Sequence, residues 1–142
     1  MEGSPAGEKV KWWHYPAYGY SGMATPKGKE AFVNVFKVFL DERNYPIIFH
    51  CIGGADRTGA VGFILNALLG VSDDELDKDW EITCFIYESQ NFGHKTRFDK
   101  LRKVFDAYPG ATTREKVEAY VKELGFTDAD IAKFRSIMME QS

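Results

Sequence analysis

A cysteine and an arginine separated by five residues are the chemically most informative feature of this chain. Cys51 and Arg57 bracket a loop that contains Gly53 and Gly54, and the loop lies between a short apolar run and an apolar helical stretch. The backbone N–H groups of such a loop can turn inward around a tetrahedral anion, and the start of a helix adds partial positive charge. The spacing therefore predicts a phosphate-binding loop with a nucleophile at its base.

Each side chain of this loop has an expected role in phosphate chemistry. The planar guanidinium of Arg57 can bind two phosphate oxygens at once. Cys51, surrounded by donors, should ionise below the value of a free thiol, and the thiolate is the nucleophile. Thr58 is interpreted either as a donor to the Cys51 sulfur or as an ordinary hydroxyl at a helix start. We expect the phosphate to be bound by Ile52, Gly53, Gly54, Ala55, Asp56, Arg57 and Thr58.

The motif resembles that of a known enzyme family. Residues 50–59 read His-Cys-Ile-Gly-Gly-Ala-Asp-Arg-Thr-Gly, which is similar to the His-Cys-x5-Arg-Ser/Thr-Gly loop of the cysteine-based protein tyrosine phosphatases. The segment from Thr113 to Arg135 resembles the closing region of a bacterial, dual-specificity-like branch of these phosphatases, so the likeness extends over residues 46–140. The resemblance implies hydrolysis of phosphoric monoesters through a phosphocysteine at Cys51, with no metal or other cofactor.

The general acid is less clear from the sequence. Members of the family usually carry an aspartate on a loop upstream of the cysteine, but residues 9–29 contain no Asp or Glu. Asp56 is the best replacement, since a similarly placed aspartate is the proposed acid in the related myotubularin lipid phosphatases. The alternative is that Asp56 orients Arg57 or the loop backbone. Weaker candidates for the acid are His14, Tyr18 and Tyr20.

The loop composition also bears on the substrate. Arg57 is the only cation in the loop, which favours a singly phosphorylated substrate, with a phosphotyrosine protein ahead of a phosphoinositide. Aromatic residues upstream either wall a slot for an aryl phosphate or form the edge of the core; they are Trp12, Trp13, Tyr15, Tyr18 and Tyr20. Two other functions compete with a phosphatase. One is a poorly active phosphate-binding module or a subunit of a split phosphatase, and the other, disfavoured by the Arg-Thr-Gly ending, is a rhodanese-like sulfurtransferase.

The elements around the loop predict an α/β fold. Residues 10–15 are extended in character, and residues 46–49 form an apolar run typical of a strand buried in a parallel sheet. Apolar spacing and capping residues predict helices over 27–43, 58–69, 73–88, 95–108, 113–125 and 127–140. We therefore expect one domain over residues 1–142, with a small parallel sheet flanked by helices and a helical C-terminal half.

Composition limits the partners and the location. The chain has 142 residues, 44% of them hydrophobic, and a formal net charge of −3, so it has no basic field for nucleic acid. No stretch is apolar for long enough to span a membrane, and the N-terminus has no apolar targeting core. Two cysteines without a disulfide framework favour a reducing compartment, hence the cytoplasm.

The upstream region differs from the family pattern. Fifty residues precede Cys51, which is short for the strands that related phosphatases place there. Two parallel strands are too few to cover the apolar faces of several helices. We therefore expect the missing strands to come from a homodimer partner, from a separate N-terminal fragment, or from a longer chain of which these residues are a part. A compact helical variant of the fold is the less favoured alternative.

Overall fold

Helices make up most of the computed structural model, which describes residues 4, 6–87 and 94–139, without the side chains of 83–87 and 94–96. The six α-helices of this described part are α1 (Pro26–Phe39), α2 (Asp56–Leu69), α3 (Asp73–Tyr87), α4 (His94–Asp106), α5 (Thr113–Glu123) and α6 (Asp128–Met138). Short 3-10 helices span Tyr20–Ala24 and Glu42–Asn44. The predicted helices are thus confirmed in number and order, with ends that differ by a few residues.

Helix α1 forms because its apolar residues recur at helical spacing and its first turn is capped. Phe32, Phe36 and Phe39 lie on one face and are buried in the core. The Thr25 hydroxyl accepts a hydrogen bond from the backbone N–H of Gly28 and so caps the N-terminus.

Helix α2 lies at the centre of the core and packs against α3, α5 and α6. Ala60, Ile64, Ala67 and Leu68 are fully buried, as expected for a helix that is apolar on all sides. It ends at Gly70, whose φ of +86° closes the last turn in the left-handed conformation. The longest of the described helices, α3, has 15 residues, and none of the described helices is long and apolar enough to cross a membrane.

Reciprocal caps begin three of the later helices. In each, a Ser or Thr side chain accepts from a backbone N–H three residues on, while the acid at that position bonds back to the capping residue. The pairs are Ser72 with Glu75, Thr112 with Glu115 and Thr127 with Asp130. All three pairs were predicted from the sequence, which explains why the starts of α3, α5 and α6 were located well.

The predicted parallel sheet is wrong. The part of the chain that the structure describes contains no β-strand, and its two candidate segments, residues 10–15 and 46–49, are extended without pairing. Among the described residues, no backbone hydrogen bond joins the two segments. The architecture is therefore a helical assembly in which irregular segments, rather than strands, approach the loop.

The physical reason for the error lies in the burial of residues 46–49. The apolar run was interpreted as a strand covered on both faces, but Ile48 is 90% exposed. An isolated pair of short strands is only marginally stable in water. Without a covering layer, the backbone hydrogen bonds between the two strands are little more favourable than the hydrogen bonds that the same groups make to water. A contact between side chains links the two regions instead. The ring centroids of Trp12 and of His50, the residue that follows the second segment, lie 5.6 Å apart.

Candidate active site

Residues 51–55 form the turn between the extended segment and the first residue of α2. Gly54 adopts a φ of +72°, a left-handed conformation that side chains other than glycine rarely adopt. No side chain caps the N-terminus of α2, so no capping group competes for the first N–H groups of the helix. These N–H groups and the partial charge of the helix end therefore form a place where an anion is stabilised.

The Cys51 thiol is half-buried at the base of this turn. Burial raises the pKa of Cys51, but the nearby Thr58 hydroxyl and the N–H groups of Thr58, Gly54 and Gly53 outweigh burial and lower the pKa to about 7. A large fraction of the sulfur is consequently thiolate near neutral pH, which is the nucleophilic form.

The Thr58 hydroxyl has an unusual environment. Its oxygen is buried and has no hydrogen-bond partner of ordinary geometry among the described residues. It nevertheless lies close enough to the Cys51 sulfur to lower the pKa of the thiol. The two roles predicted for Thr58, donor to the sulfur and ordinary hydroxyl at a helix start, both stay predictions.

Other predicted loop residues differ in exposure. Arg57 lies in the first turn of α2, is exposed, and makes no ion pair or hydrogen bond with the described residues. Its guanidinium is therefore available to a bound anion. Ile52 is 91% exposed at the rim of the turn, whereas Ala55 is buried beneath it.

Asp56 is engaged from outside the loop. Tyr20 donates a hydrogen bond from its hydroxyl to Asp56 Oδ1, and Nη1 of Arg97 lies 4.0 Å from Asp56 Oδ2. Burial raises the pKa of Tyr20, and the hydrogen bond to Asp56 and its charge raise it further, so the phenol remains a donor throughout the physiological range. The backbone of Gly19 also approaches Asp56, because a Cβ on Gly19 would lie 3.3 Å from the Asp56 carbonyl carbon.

The aromatic segment over residues 12–20 runs beside the catalytic turn. Trp12 contacts His50 at one end, and Tyr20 reaches Asp56 at the other. Between these contacts, Trp13, Tyr15 and Tyr18 are each more than one-third exposed. Nδ1 of His50 lies 3.1 Å from the carbonyl oxygen of Cys51, a position from which the imidazole bonds to the loop backbone.

Arg97 was missed by the sequence analysis. It lies near the start of α4, where a lone cation carries no motif, and only the folded chain brings it to Asp56. From the sequence, Cys84 is interpreted as a core residue rather than a resolving thiol, and Gln90 and Asn91 as a polar turn between helices rather than as residues that position the hydrolytic water. The Cys84 side chain and residues 90–91 lie outside the described residues. In the described part of the chain, no three His, Cys, Asp or Glu side chains cluster closely enough to hold a metal ion.

Comparison with known protein families gives a match over most of the chain. The family model described as "Tyrosine phosphatase family" matches residues 6–140, so the chain belongs to the tyrosine phosphatase family. The resemblance noted for the loop and the closing region is confirmed at this level. No solved structure gives a significant match.

Two plant relatives are similar over part of the chain. "Inositol diphosphatase DSP3" of Arabidopsis thaliana is 35% identical over 52 residues, which is 37% of this chain and 26% of the relative. "Inositol diphosphatase DSP5" of the same plant is 33% identical over 58 residues, or 41% of this chain and 28% of the relative. The matches thus span about a quarter of the length of these curated relatives. Together with the family model, they support a phosphatase as the class of this protein.

Proposed function

We propose that this chain hydrolyses phosphoric monoesters through a covalent phosphocysteine on Cys51. The observation that carries the proposal is the environment of that thiol. Its pKa is lowered to about 7 by donors from the turn and from Thr58, at the uncapped N-terminus of a helix. The same donors would bind the non-bridging oxygens of a phosphoryl group as it approaches the sulfur.

The proposed reaction has two steps. In the first, the Cys51 thiolate attacks phosphorus, the S–P bond forms as the bond to the leaving oxygen breaks, and Asp56 gives that oxygen a proton. In the second, Asp56 takes a proton from water, the water attacks phosphorus, and the S–P bond breaks to return the thiolate and inorganic phosphate. Arg57 binds two phosphate oxygens in both steps, and Thr58 donates to the departing sulfur.

An aryl phosphate, such as phosphotyrosine in a protein, is the substrate class that we propose first. Arg57 is the single cation in the turn, and the 12–20 segment, which contacts His50 and Asp56 at the two ends of the turn, carries exposed aromatic side chains. An aromatic leaving group can stack on such side chains, whereas a highly phosphorylated ring needs several cations. The exposed Ile52 at the rim likewise favours a substrate with an apolar body.

Inositol phosphates form the second candidate substrate class. Two relatives carry the name inositol diphosphatase, although each match covers about a quarter of the relative. Arg97, beside Asp56, supplies a cation near the turn that an additional phosphate could contact. A third candidate function is a module that binds phosphate esters and hydrolyses them only slowly. Rate measurements distinguish this module from a phosphatase of either substrate class.

The test compares phosphate release from an aryl phosphate, an inositol diphosphate and an alkyl phosphate by the purified chain. We expect the aryl phosphate to give the highest kcat/KM. Cys51→Ser should abolish release while vanadate binding persists, because the anion is bound mainly by backbone N–H groups and Arg57. A serine variant that retains appreciable turnover would contradict the covalent mechanism, and a wild-type chain that binds vanadate without turnover would establish the binding module.

We also propose that the chain associates with another polypeptide, either a second copy or a separate N-terminal fragment, when it is not part of a longer chain. Support comes from large apolar side chains exposed on the two extended segments, among them Val10, Trp13, Ile48 and Phe49. Light scattering should give a mass above that of one 16.1 kDa chain. A stable, active monomer with a cooperative melt would contradict this proposal.

We also propose three further properties that were inferred from the sequence. They are a single domain over residues 1–142, membership of the bacterial branch, and a cytoplasmic location. The reducing cytoplasm suits a catalytic thiol, because a free thiolate near pH 7 is readily oxidised elsewhere. Fractionation of the source cells, with activity in the cytoplasmic fraction, is the expected result for the location.

A further inference from the structure

The two oxygens of the Asp56 carboxylate are approached by two different side chains from outside the catalytic turn. Tyr20 binds Oδ1 and Arg97 lies beside Oδ2. We propose that Tyr20 and Arg97 are positioning residues, which hold Asp56 where it exchanges a proton with the leaving oxygen and then with water. The inference rests on the phosphatase function proposed above. It gives a positioning role to Tyr20 in the first 3-10 helix and to Arg97 on α4.

Tyr20 is itself held rigidly. Its ring packs edge-on against Trp80, with 5.7 Å between the ring centroids, and Trp80 is buried in the core. Tyr20 also adopts a φ of +53°, a left-handed conformation that is uncommon for a bulky residue. Backbone strain of this kind persists where the surroundings fix it, and it is found at functional sites more often than elsewhere. The phenol oxygen therefore presents a fixed donor to Asp56.

Arg97 completes the arrangement from α4. Its guanidinium lies over the Tyr20 ring, 5.9 Å from the centroid, and Nη1 is 4.0 Å from Asp56 Oδ2. This separation is longer than a hydrogen bond, so Arg97 places its charge near Oδ2 without occupying that oxygen itself. Tyr20 and Arg97 thus act on the two oxygens of the Asp56 carboxylate from two separate elements.

Such positioning matters because proton transfer depends steeply on geometry. A carboxylate that rotates away from the leaving oxygen loses the rate gain of general acid catalysis, which is about 10²- to 10⁴-fold. Activated aryl phosphates depend little on this gain, because their leaving groups depart without a proton. Alkyl phosphates need the proton, so they report on the position of Asp56.

The first part of the test is Tyr20→Phe, which removes the hydroxyl and keeps the ring. We expect kcat/KM on an alkyl phosphate to fall about 10-fold or more and kcat/KM on an activated aryl phosphate to fall less than about 3-fold, because kcat/KM reports the steps up to formation of the phosphocysteine and not its hydrolysis. Tyr45→Phe is the matched control, because Tyr45 donates its hydroxyl to the Phe39 carbonyl oxygen, away from the turn. Equal losses on both substrates would overturn the proposal.

The second part is a double-variant cycle. Asp56→Asn alone should slow the alkyl phosphate strongly, and adding Tyr20→Phe should slow it no further, because a positioning residue has nothing to position once the acid is gone. Arg97→Gln should behave in the same way, with Lys100→Gln, an exposed cation on α4, as its control. Multiplicative losses in the double variants would overturn the proposal.

The outcomes separate this inference from the proposed function. A wild-type chain without activity on any phosphate ester would refute the function itself. An active wild type whose Tyr20→Phe and Arg97→Gln variants match it on the alkyl phosphate would refute the positioning alone. If Tyr20→Phe does not fold, Arg97→Gln decides the question through the same cycle, since the Arg97 side chain is 40% exposed and its loss leaves the core intact.

Discussion

The Thr58 hydroxyl, buried in the first turn of α2, lowers the pKa of the Cys51 sulfur. Thr58→Val should remove this donor and raise the pKa of Cys51 from about 7 by about one unit. Because the thiolate exists only above the pKa, alkylation by iodoacetamide should slow about tenfold at pH 6 and hardly change at pH 9.

Two controls accompany this measurement. Thr58→Ser keeps a hydroxyl and should retain the wild-type profile, and Cys51→Ser identifies any signal from Cys84. An unchanged alkylation profile in Thr58→Val would mean that Thr58 is an ordinary hydroxyl at the helix start that does not stabilise the thiolate.

Arg57→Lys should lose substrate binding and rate together. The ammonium group cannot make the two parallel hydrogen bonds of the guanidinium, and one charge-assisted bond contributes about 1.5–3 kcal/mol. We expect kcat/KM on an aryl phosphate to fall about 10- to 100-fold and the inhibition constant of vanadate to rise by a similar factor. Arg43→Lys, at an exposed arginine paired with Asp41, should leave both unchanged. Full activity of Arg57→Lys would show that the backbone alone binds the phosphate.

Alanine substitutions at two glycines of α2 should have opposite effects on the stability of the fold. A Cβ at Gly59 would lie 2.8 Å from a ring carbon of Trp80, whereas nothing lies within 4 Å of a Cβ at Gly62. Gly59→Ala should therefore destabilise the fold by about 1–3 kcal/mol through overpacking. Gly62→Ala should stabilise it by about 0.5–1 kcal/mol, because alanine loses less backbone entropy in a helix. Urea unfolding of the pair provides the measurement, and equal shifts would contradict the packing around Trp80.

Protonation of Glu118 at low pH should account for part of the acid sensitivity of the fold. Burial raises its pKa, but hydrogen bonds from Arg114 and Arg135 outweigh burial and lower it. Its stabilising contribution is therefore complete above the unfolded value near 4.3 and is lost as the pH falls through the folded value. Glu118→Gln should cost about 1 kcal/mol at pH 7 and almost nothing at pH 3.

The control for this prediction is Glu30→Gln, an exposed glutamate on α1. It should change the free energy of unfolding little at either pH. A loss in Glu118→Gln that is equally large at pH 3 would assign the effect to packing rather than to charge.

Local signals predicted most of the helices. A cap such as Thr127 with Asp130 involves residues three apart, and the apolar stripe of α1 repeats within one element, so both are visible without knowledge of the fold. The family resemblance was visible for the same reason, because residues 50–59 carry the motif in one continuous segment.

Non-local signals accounted for the errors. The run over residues 46–49 is apolar, but whether it is covered depends on partners elsewhere, and Ile48 is in fact exposed. Tyr20 was only a weak candidate and Arg97 was not considered, because their approach to Asp56 depends on how α4 and the 3-10 helix pack. A pattern of residue types does not encode that approach.

Helix α2 lies at the centre of the core, and the turn of residues 51–55 leads directly into its N-terminus. The amide groups that would bind phosphate lie in this turn and in the first turn of α2, and because the later turns of the helix are buried, the position of these amides depends on the core. Hydrogen exchange at buried positions of α2 such as Ile64 and Leu68 should follow global unfolding. A remote core substitution such as Ile64→Val should then reduce the amount of competent enzyme without altering the rate constant of each folded molecule.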